Sequence, residues 1–240
     1  MLPALFVALL AAASATADEV PAKDAVILNY YDRPPYMVPQ PDGAAAGLTA
    51  DPAAALFRRA GVAFRWQMTP AKRQLDMIRH GAGRDCGIGW FRDDERLGYA
   101  VFLGPIYHDR AAVVLAGPGF AGNAEEPVEQ QLQAIKSPIL IKDGLTYGRY
   151  VARLIAEARL GTTPVSVEQA QMVDMLAAGR AEAMFATREE AELLIAGQPA
   201  ARKIRILDLA GDRGGEDRYV MCSRKLDAHI VEALQAALEG

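Results

Sequence analysis

The stretch GWFRDDERLGYAVFLGPIY, residues 89–107, places a short charged segment between two apolar ones. Residues 92–96 carry five charges, and the preceding CGIG is typical of the end of a buried strand. Open α/β sheets usually bind a ligand at the carboxyl ends of their strands, where this segment would lie. An ordinary solvated loop would occupy the same place, so the rest of the chain has to distinguish the two interpretations.

Composition restricts the class of protein. The chain has 240 residues, of which 51% are hydrophobic, enough for a packed core in one domain or two small ones. Its formal net charge is -4 and its basic residues are scattered, so no nucleic-acid partner is expected. The histidines lack metal-ligand spacing, and no nucleophile-elbow or phosphate-loop motif occurs. We therefore expect no metal, no cofactor and no catalysis.

The amino terminus has the pattern of a secretory signal peptide. Residues 1–17 are uncharged and rich in Leu and Ala, and they end in Ala-Thr-Ala just before Asp18. This run is too short to span a bilayer, although no Lys or Arg precedes it. A buried amino-terminal helix is the less favoured alternative, because a polar, Pro-containing segment follows. We expect cleavage after Ala17 and a periplasmic location.

The first hundred residues alternate strand-like and helix-like runs. Strands are predicted over 24–31, 62–68 and 86–89, with helices over 51–61 and 70–80. Asp51, followed by Pro52, is predicted to cap the first helix. The charged segment after residue 89 is predicted as a loop, and the apolar run after it as ending in a Pro-containing turn.

A second α/β series follows, with two predicted capping boxes, Ser166 with Gln169 and Thr187 with Glu190. Strand–helix alternation predicts mostly parallel sheets in two successive units. The last strand and helix have no place in the second unit and are predicted to return to the first unit. The chain would then cross twice between the two units, with a cleft between the units. The predicted strands are 111–116, 139–142, 164–167, 182–186, 204–209 and 219–223. The predicted helices are 127–135, one beginning at Thr146, one after the first capping box, 189–196 and 228–238.

Several short motifs, in this order, resemble the extracytoplasmic solute-binding proteins of the amino-acid-type group (family 3) that serve ABC importers. They are YDRPPYMV (31–38), GLTAD (47–51), ER (95–96) followed by AVFLGPIY (100–107), DGLTYG (143–148) and AAGRAEAMF (177–185). The resemblance implies a periplasmic-binding-protein-like α/β fold, with two lobes joined by two hinge strands and a ligand cleft between them. It implies a first lobe of 18–110 with 218–240, and a second lobe of 111–217.

The same resemblance suggests a ligand site. Arg96 falls where the family clamps the ligand's carboxylate, and its guanidinium suits that role; a surface pair with Asp93 or Asp94 is the alternative. Thr146, at a predicted helix start, falls where the second lobe offers N–H groups to the same anion. The expected ligand-binding residues are Tyr31, Tyr36, Gly89, Trp90, Arg96, Thr146, Tyr147 and Thr187.

The sequence departs from the family at one position. Thr187 stands where amino-acid binders carry the acid that receives the ligand's ammonium. Glu189 or Glu190 could substitute, but the capping box already explains Glu190. The expected ligand is therefore a small polar, carboxylate-bearing molecule, and a standard α-amino acid is not specifically predicted.

Two cysteines, Cys86 and Cys222, lie in apolar strand-like runs. Spacing alone leaves open whether they bond or remain buried thiols. The family topology places the returning strand beside the third strand, and this implies a Cys86–Cys222 disulfide.

Three functions are compatible with the sequence. The favoured one is a monomeric solute-binding protein, not an enzyme, that hands a small-molecule ligand to an ABC permease at the membrane. An extracytoplasmic enzyme on the same scaffold, similar to cyclohexadienyl dehydratases, would need a cleft carboxylate such as Asp32, Asp93 or Glu189. The third is a ligand sensor that presents its liganded surface to a receptor.

Overall fold

A computed structural model describes residues 24–122, 125–197, 199–212 and 214–240. The predicted signal peptide and its cleavage site lie outside the described residues. The strands are β1 Val26–Tyr30, β2 Val38–Pro39, β3 Ala45–Ala46, β4 Phe64–Met68, β5 Asp85–Phe91, β6 Ala100–His108, β7 Ala112–Ala116, β8 Ile139–Lys142, β9 Thr162–Val165, β10 Ala183–Thr187, β11 Arg205–Asp208 and β12 Asp217–Ser223. The helices are α1 Ala50–Arg59, α2 Ala71–His80, α3 Asp94–Leu97, α4 Val128–Ala134, α5 Gly148–Glu157, α6 Gln169–Ala177, α7 Arg188–Gly197 and α8 Ala228–Glu239, with a 3-10 turn at Pro199–Lys203.

The first sheet has the strand order β4-β1-β5-β12-β6. Strands β4, β1 and β5 are parallel, whereas β12 runs antiparallel between β5 and β6. The carboxyl-terminal strand thus returns to the first unit, as the sequence predicts. Cys86 and Cys222 face each other across β5 and β12, and their sulfurs are bonded at 2.01 Å, so the predicted disulfide is confirmed.

The second sheet has the order β11-β7-β10-β8-β9. Strands β10, β8 and β9 are parallel, but β7 is antiparallel to both β10 and β11. We call the unit on the first sheet lobe 1 and the unit on the second sheet lobe 2. The chain crosses between them after β6 and again before β12, and each crossing introduces antiparallel strands. The prediction of mostly parallel sheets is therefore only partly right.

Each lobe has its own apolar core. In lobe 1 the core includes Leu28, Phe57 and Ile88 and extends to Leu234 of α8. In lobe 2 one apolar cluster packs on each face of the sheet, around Phe185 and around Met184 respectively. Successive residues of the buried strand β10 thus pack into the clusters on opposite faces of the sheet, as expected for a sheet covered by helices on both sides. The architecture is a mixed α/β fold with two lobes. Among the described residues, no helix combines the length and the apolarity needed to cross a bilayer.

The apolar run that was predicted to end in a turn is instead the nine-residue strand β6. Pro105 lies within this strand, and proline has no N–H for a ladder hydrogen bond. The strand can hold a proline because it lies at the edge of its sheet, where only β12 pairs with it. The charged segment before it was predicted as a loop, but it forms the short helix α3.

Most helix starts differ from the predictions by one or two residues, and α8 begins at the predicted residue. Thr49, not Asp51, is the N-cap residue of α1, and Asp51 lies in the first turn. In α6 the capping box is formed by Glu168 and Gln171 rather than by Ser166 and Gln169.

The helix predicted to begin at Thr146 begins at Gly148, where φ is +89°. Glycine adopts this left-handed conformation without the steric penalty of other residues. The predicted Thr187–Glu190 capping box at the start of α7 is present, because Thr187 N donates to Glu190 Oε2 at 3.3 Å and Glu190 N donates to Thr187 Oγ1 at 3.4 Å.

Candidate functional site

The charged segment turns Arg96 into the protein. Asp93 caps α3 by accepting a hydrogen bond from Arg96 N at 2.8 Å, and its Oδ2 lies 3.1 Å from Arg96 Nε. Arg96 Nη1 donates to the carbonyl of Phe91 at 3.1 Å, and the guanidinium carbon lies 4.8 Å from the Trp90 ring centroid. Arg96 is only 6% exposed. Pairing with Asp93 is thus compatible with a ligand role, because it orients a buried guanidinium.

A small cavity lies between the two lobes, and we call it the arginine cavity. Its volume is about 10 Å³, which is room for about one water molecule. Lobe 2 contributes Leu145 and Thr146, so Arg96 and Thr146 line the same cavity. Lobe 1 contributes Tyr31, Arg33, Ile88, Gly89, Trp90, Phe91, Arg96 and Arg218.

Of the predicted site residues, the structure therefore brings Tyr31, Gly89, Trp90, Arg96 and Thr146 together at this cavity. Gly89 has a φ of +72°, at a point where the pairing of β5 with β12 is interrupted by a register shift. A register shift of this kind re-aims the backbone, and only glycine takes this φ without strain. The Gly89 carbonyl accepts a hydrogen bond from Arg218 Nη1 at 2.7 Å.

The other three predicted site residues lie next to this cavity but do not line it. Tyr147 and Thr187 line a neighbouring cavity with Asp109. The Tyr147 hydroxyl accepts a hydrogen bond from Lys142 N at 2.8 Å, and burial raises the pKa of Tyr147. The Tyr36 hydroxyl lies 2.8 Å from Thr187 Oγ1 and so joins lobe 1 to lobe 2.

Sequence reasoning missed an ion pair between the lobes. Arg33 Nε lies 2.5 Å from Glu190 Oε1, and Arg33 Nη2 donates to Glu190 Oε2 at 3.0 Å. Arg33 Nη1 also donates to the Tyr31 hydroxyl at 3.1 Å. Burial would raise the pKa of Glu190, but the Arg33 guanidinium outweighs it and lowers that pKa below its usual range. The signal that could have revealed the pair is Arg33 itself, the one cation of the motif YDRPPYMV.

A second buried ion pair lies where the chain crosses between the lobes. Arg218 Nε lies 2.6 Å from Asp109 Oδ1, and the two side chains are 1% and 2% exposed. Arg218 Nη2 and Asp109 Oδ2 have no hydrogen-bond partner among the described residues. Burial raises the pKa of Asp109, although Arg218 acts to lower it. Each member of the ion pair thus keeps one buried polar atom without a hydrogen bond.

The start of α5, which was predicted to receive the ligand's anion, contacts a carboxylate of the protein. Arg149 N donates to Glu216 Oε1, and Arg149 Nε lies 3.7 Å from Glu216 Oε2. Glu216 comes from the segment between β11 and β12. One backbone N–H group at this helix start is therefore used within the protein, whereas Thr146 lies on the arginine cavity.

A larger opening between the lobes, of about 450 Å³, shares Tyr31 with the arginine cavity. We call it the outer cleft. Met68 is 61% exposed and lines it, as do Lys72 and Asp143, whose Nζ and Oδ2 are 3.5 Å apart. Its volume is within the range typical of small-molecule pockets. Arg92, the other arginine of the charged segment 92–96, is exposed and lines a different cavity.

No family model matches the chain, and no curated protein matches it. Solved structures do match. An ancestral arginine-binding protein bound to arginine is 18% identical, with a TM-score of 0.70, over 91% of this chain and 92% of that one. The arginine-specific periplasmic binding protein STM4351 of Salmonella typhimurium is 20% identical, with a TM-score of 0.66, over 90% and 92%. The periplasmic VFT2 domain of Bordetella pertussis BvgS is 16% identical, with a TM-score of 0.68, over 91% and 89%.

These similarities establish the fold, which is that of the periplasmic binding proteins. Sequence identity of 20% or less does not identify the ligand of this chain. What this chain binds must therefore be argued from its own residues.

Proposed function

We propose that this chain is an extracytoplasmic solute-binding protein that holds a small polar, carboxylate-bearing ligand between its lobes. The observation that carries the proposal is that Arg96 of lobe 1 and Thr146 of lobe 2 line one cavity. A planar guanidinium can bind a carboxylate through two parallel hydrogen bonds. Closing the lobes over that contact removes water and so strengthens it.

The proposed site consists of two parts. The arginine cavity binds the carboxylate, and the outer cleft accommodates the remainder of the ligand past Tyr31. Because the arginine cavity has a volume of only about 10 Å³, the lobes have to separate for a ligand to enter. The proposed lobes are 18–110 with 218–240, and 111–217, and the crossings between them act as the hinge.

The solved structures that share this fold include proteins bound to arginine and to glutamine, which supports a small-molecule ligand for this chain. The predicted signal sequence supports export to the periplasm. We propose that the protein acts as a monomer and passes its ligand to an ABC permease, as the sequence resemblance implies.

The carboxylates required by the enzymatic alternative do not converge. Asp93 is used by Arg96, and Asp32 lines the outer cleft. Glu189 Oε1 accepts hydrogen bonds from the Tyr107 hydroxyl at 3.0 Å and from Arg110 N at 2.8 Å. A general acid or base needs a carboxylate within reach of one reacting position. Asp93 and Glu189 are held by groups of the protein, so the enzymatic alternative depends on Asp32 alone.

A thermal-shift screen tests the proposal directly. A ligand that binds only the folded protein raises its Tm. Purified protein lacking residues 1–17 is screened against amino acids, mono- and dicarboxylates and neutral osmolytes. At least one carboxylate should raise the Tm in a concentration-dependent way. A response only to neutral osmolytes, or no response at all, would refute the proposed function.

A further inference from the structure

Arg96 and Arg218 are anchored in the same way beside the arginine cavity. Each places Nε on a carboxylate, Asp93 for Arg96 and Asp109 for Arg218. Each donates from Nη1 to a carbonyl of strand β5, at Phe91 and Gly89 respectively. These carbonyls are two residues apart in one strand, so the two guanidinium groups are fixed to the same strand.

Each of these arginines has one terminal nitrogen, Nη2, that makes no hydrogen bond with the described residues. The hydrogen bonds and ion pair of Arg96 use Nε and Nη1, and Arg218 Nη2 is buried with no partner among the described residues. Leaving a buried, charged donor without an acceptor is costly. Arg218 Nη2 is such a nitrogen, on an arginine that lines the same cavity as Arg96, and it favours a bound group with acceptor oxygens.

The lining of the cavity is basic. It contains Arg33, Arg96 and Arg218, and none of the described residues that line it is acidic. Glu190, which approaches from lobe 2, has both carboxylate oxygens bound by Arg33. An ammonium placed beside the ligand's carboxylate would therefore face guanidinium groups, and these like charges would repel each other.

Thr187 does not replace the missing acid. Its Oγ1 lies 2.8 Å from the Tyr36 hydroxyl and 3.1 Å from Glu190 Oε2, so it can donate to Glu190 while accepting from Tyr36. The one nearby buried acceptor without a partner among the described residues is Asp109 Oδ2, and Asp109 lines the neighbouring cavity rather than this one.

We infer that Arg218 is a second ligand-binding guanidinium beside Arg96, and that the group they bind is a carboxylate whose neighbouring carbon carries no ammonium. This inference rests on the proposed function and specifies its ligand class. The ligands it selects are deaminated carboxylic acids, whose remaining atoms extend past Tyr31 into the outer cleft.

Matched pairs of compounds test the ligand class by isothermal titration calorimetry of the protein lacking residues 1–17. The pairs are succinate with aspartate, glutarate with glutamate, 4-methylpentanoate with leucine, and 3-phenylpropanoate with phenylalanine. In the pair that binds best, the compound without the amino group should bind at least about tenfold more tightly. An amino acid that binds as tightly as its partner would overturn the inference and leave the proposed function intact. If no compound in any pair binds, both proposals fail.

Variants test the role of Arg218. Arg218→Gln alone would leave Asp109 buried and unpaired, so the test uses the double variant Arg218→Gln/Asp109→Asn, together with Arg218→Lys. Losing a charge-assisted hydrogen bond should weaken carboxylate binding by about 10- to 100-fold in the double variant. The lysine variant should keep part of the affinity, because it retains the charge but not the fork.

Arg92→Gln is the matched control, because Arg92 is an exposed arginine close to Arg96 in sequence that lines another cavity. It should bind with unchanged affinity. A double variant that unfolds cooperatively in urea and still binds the carboxylate with wild-type affinity would refute the role of Arg218. If the double variant does not fold, Arg218→Lys decides: unchanged affinity in that variant overturns the role.

Discussion

Arg33 and Glu190 are 157 residues apart in sequence and form a bidentate ion pair between the lobes, with Nε–Oε1 and Nη2–Oε2 distances of 2.5 and 3.0 Å. Arg33 follows β1 in lobe 1, and Glu190 lies in the first turn of α7 in lobe 2. The two side chains are 3% and 0% exposed. The pair therefore contributes directly to the closed arrangement of the lobes, and Arg33 lines the arginine cavity as well.

Replacing Arg33 with Met should destabilise the protein strongly. Glu190 would remain buried without its partner, and removing one member of a buried ion pair typically costs about 3–5 kcal/mol. The double variant Arg33→Met/Glu190→Gln should recover part of that loss, because it removes the unpaired charge while keeping the cap. Urea unfolding at neutral pH measures both. If the single variant has the same midpoint as the wild type, the pair does not stabilise the fold.

The same pair predicts an effect of acid. The pKa of Glu190 in the folded protein lies below its ordinary value of 4.5. Its stabilising contribution is therefore fully present above about pH 4.5 and is lost as the pH falls through the lower folded-state pKa. The difference in unfolding free energy between the wild type and Glu190→Gln should narrow over that window. Asp143→Asn, which alters an exposed pair, serves as the control. A difference that stays constant with falling pH would contradict this assignment.

The Cys86–Cys222 disulfide should contribute substantially to stability. It closes a loop with a sequence separation of 136, and the chain-entropy model gives about 4–5 kcal/mol for loops of this size. The double variant Cys86→Ser/Cys222→Ser should unfold at a lower urea concentration than the oxidised wild type. Reduced wild type should resemble the variant. Two titratable thiols in unreduced, denatured protein would rule the bond out.

His108, next to the first crossing between the lobes, should give a small pH dependence of stability above pH 6.5. Its Nδ1 lies 2.7 Å from Asp217 Oδ1 and its Nε2 lies 2.6 Å from the Gly214 carbonyl, so only the doubly protonated ring can donate to both. These two contacts, with a further contribution from Asp109, raise the pKa of His108 above 6.5. The contribution of these contacts to the free energy of unfolding is present below pH 6.5 and is lost as the pH rises through the folded-state pKa of His108.

We expect this effect to be small, because the side chain of His108 is 60% exposed. Urea midpoints of the wild type should fall slightly between about pH 6 and pH 8 relative to those of His108→Gln. Parallel curves for the two proteins would show that His108 contributes nothing there.

The sequence predicted those parts of the molecule that local patterns determine. Alternating apolar runs predicted β1, β4, β5 and the helices between them, and the Thr187–Glu190 box was recognised from its spacing. Strand β6 was not predicted, because it contains Pro105 and a proline usually interrupts a strand. The edge position that accommodates this proline cannot be inferred from local sequence.

The site was predicted less completely than the fold. Arg96 and Thr146 were predicted through a family resemblance, whereas Arg33 and Arg218 were not. The partners of these two arginines, Glu190 and Asp109, lie more than a hundred residues away in sequence. No local periodicity encodes such pairs. They become apparent only when the packing of β12 and the contact between the lobes are known.

Calorimetric titration of the Arg96→Gln variant tests the central claim most directly, with the carboxylate that raises the wild-type Tm most as the titrant. If Arg96 binds the carboxylate opposite Thr146, the dissociation constant should rise by about 10- to 100-fold, which corresponds to one lost charge-assisted hydrogen bond. Arg92→Gln, on the same segment, should bind like the wild type. An Arg96→Gln variant that folds and binds with unchanged affinity would contradict the account.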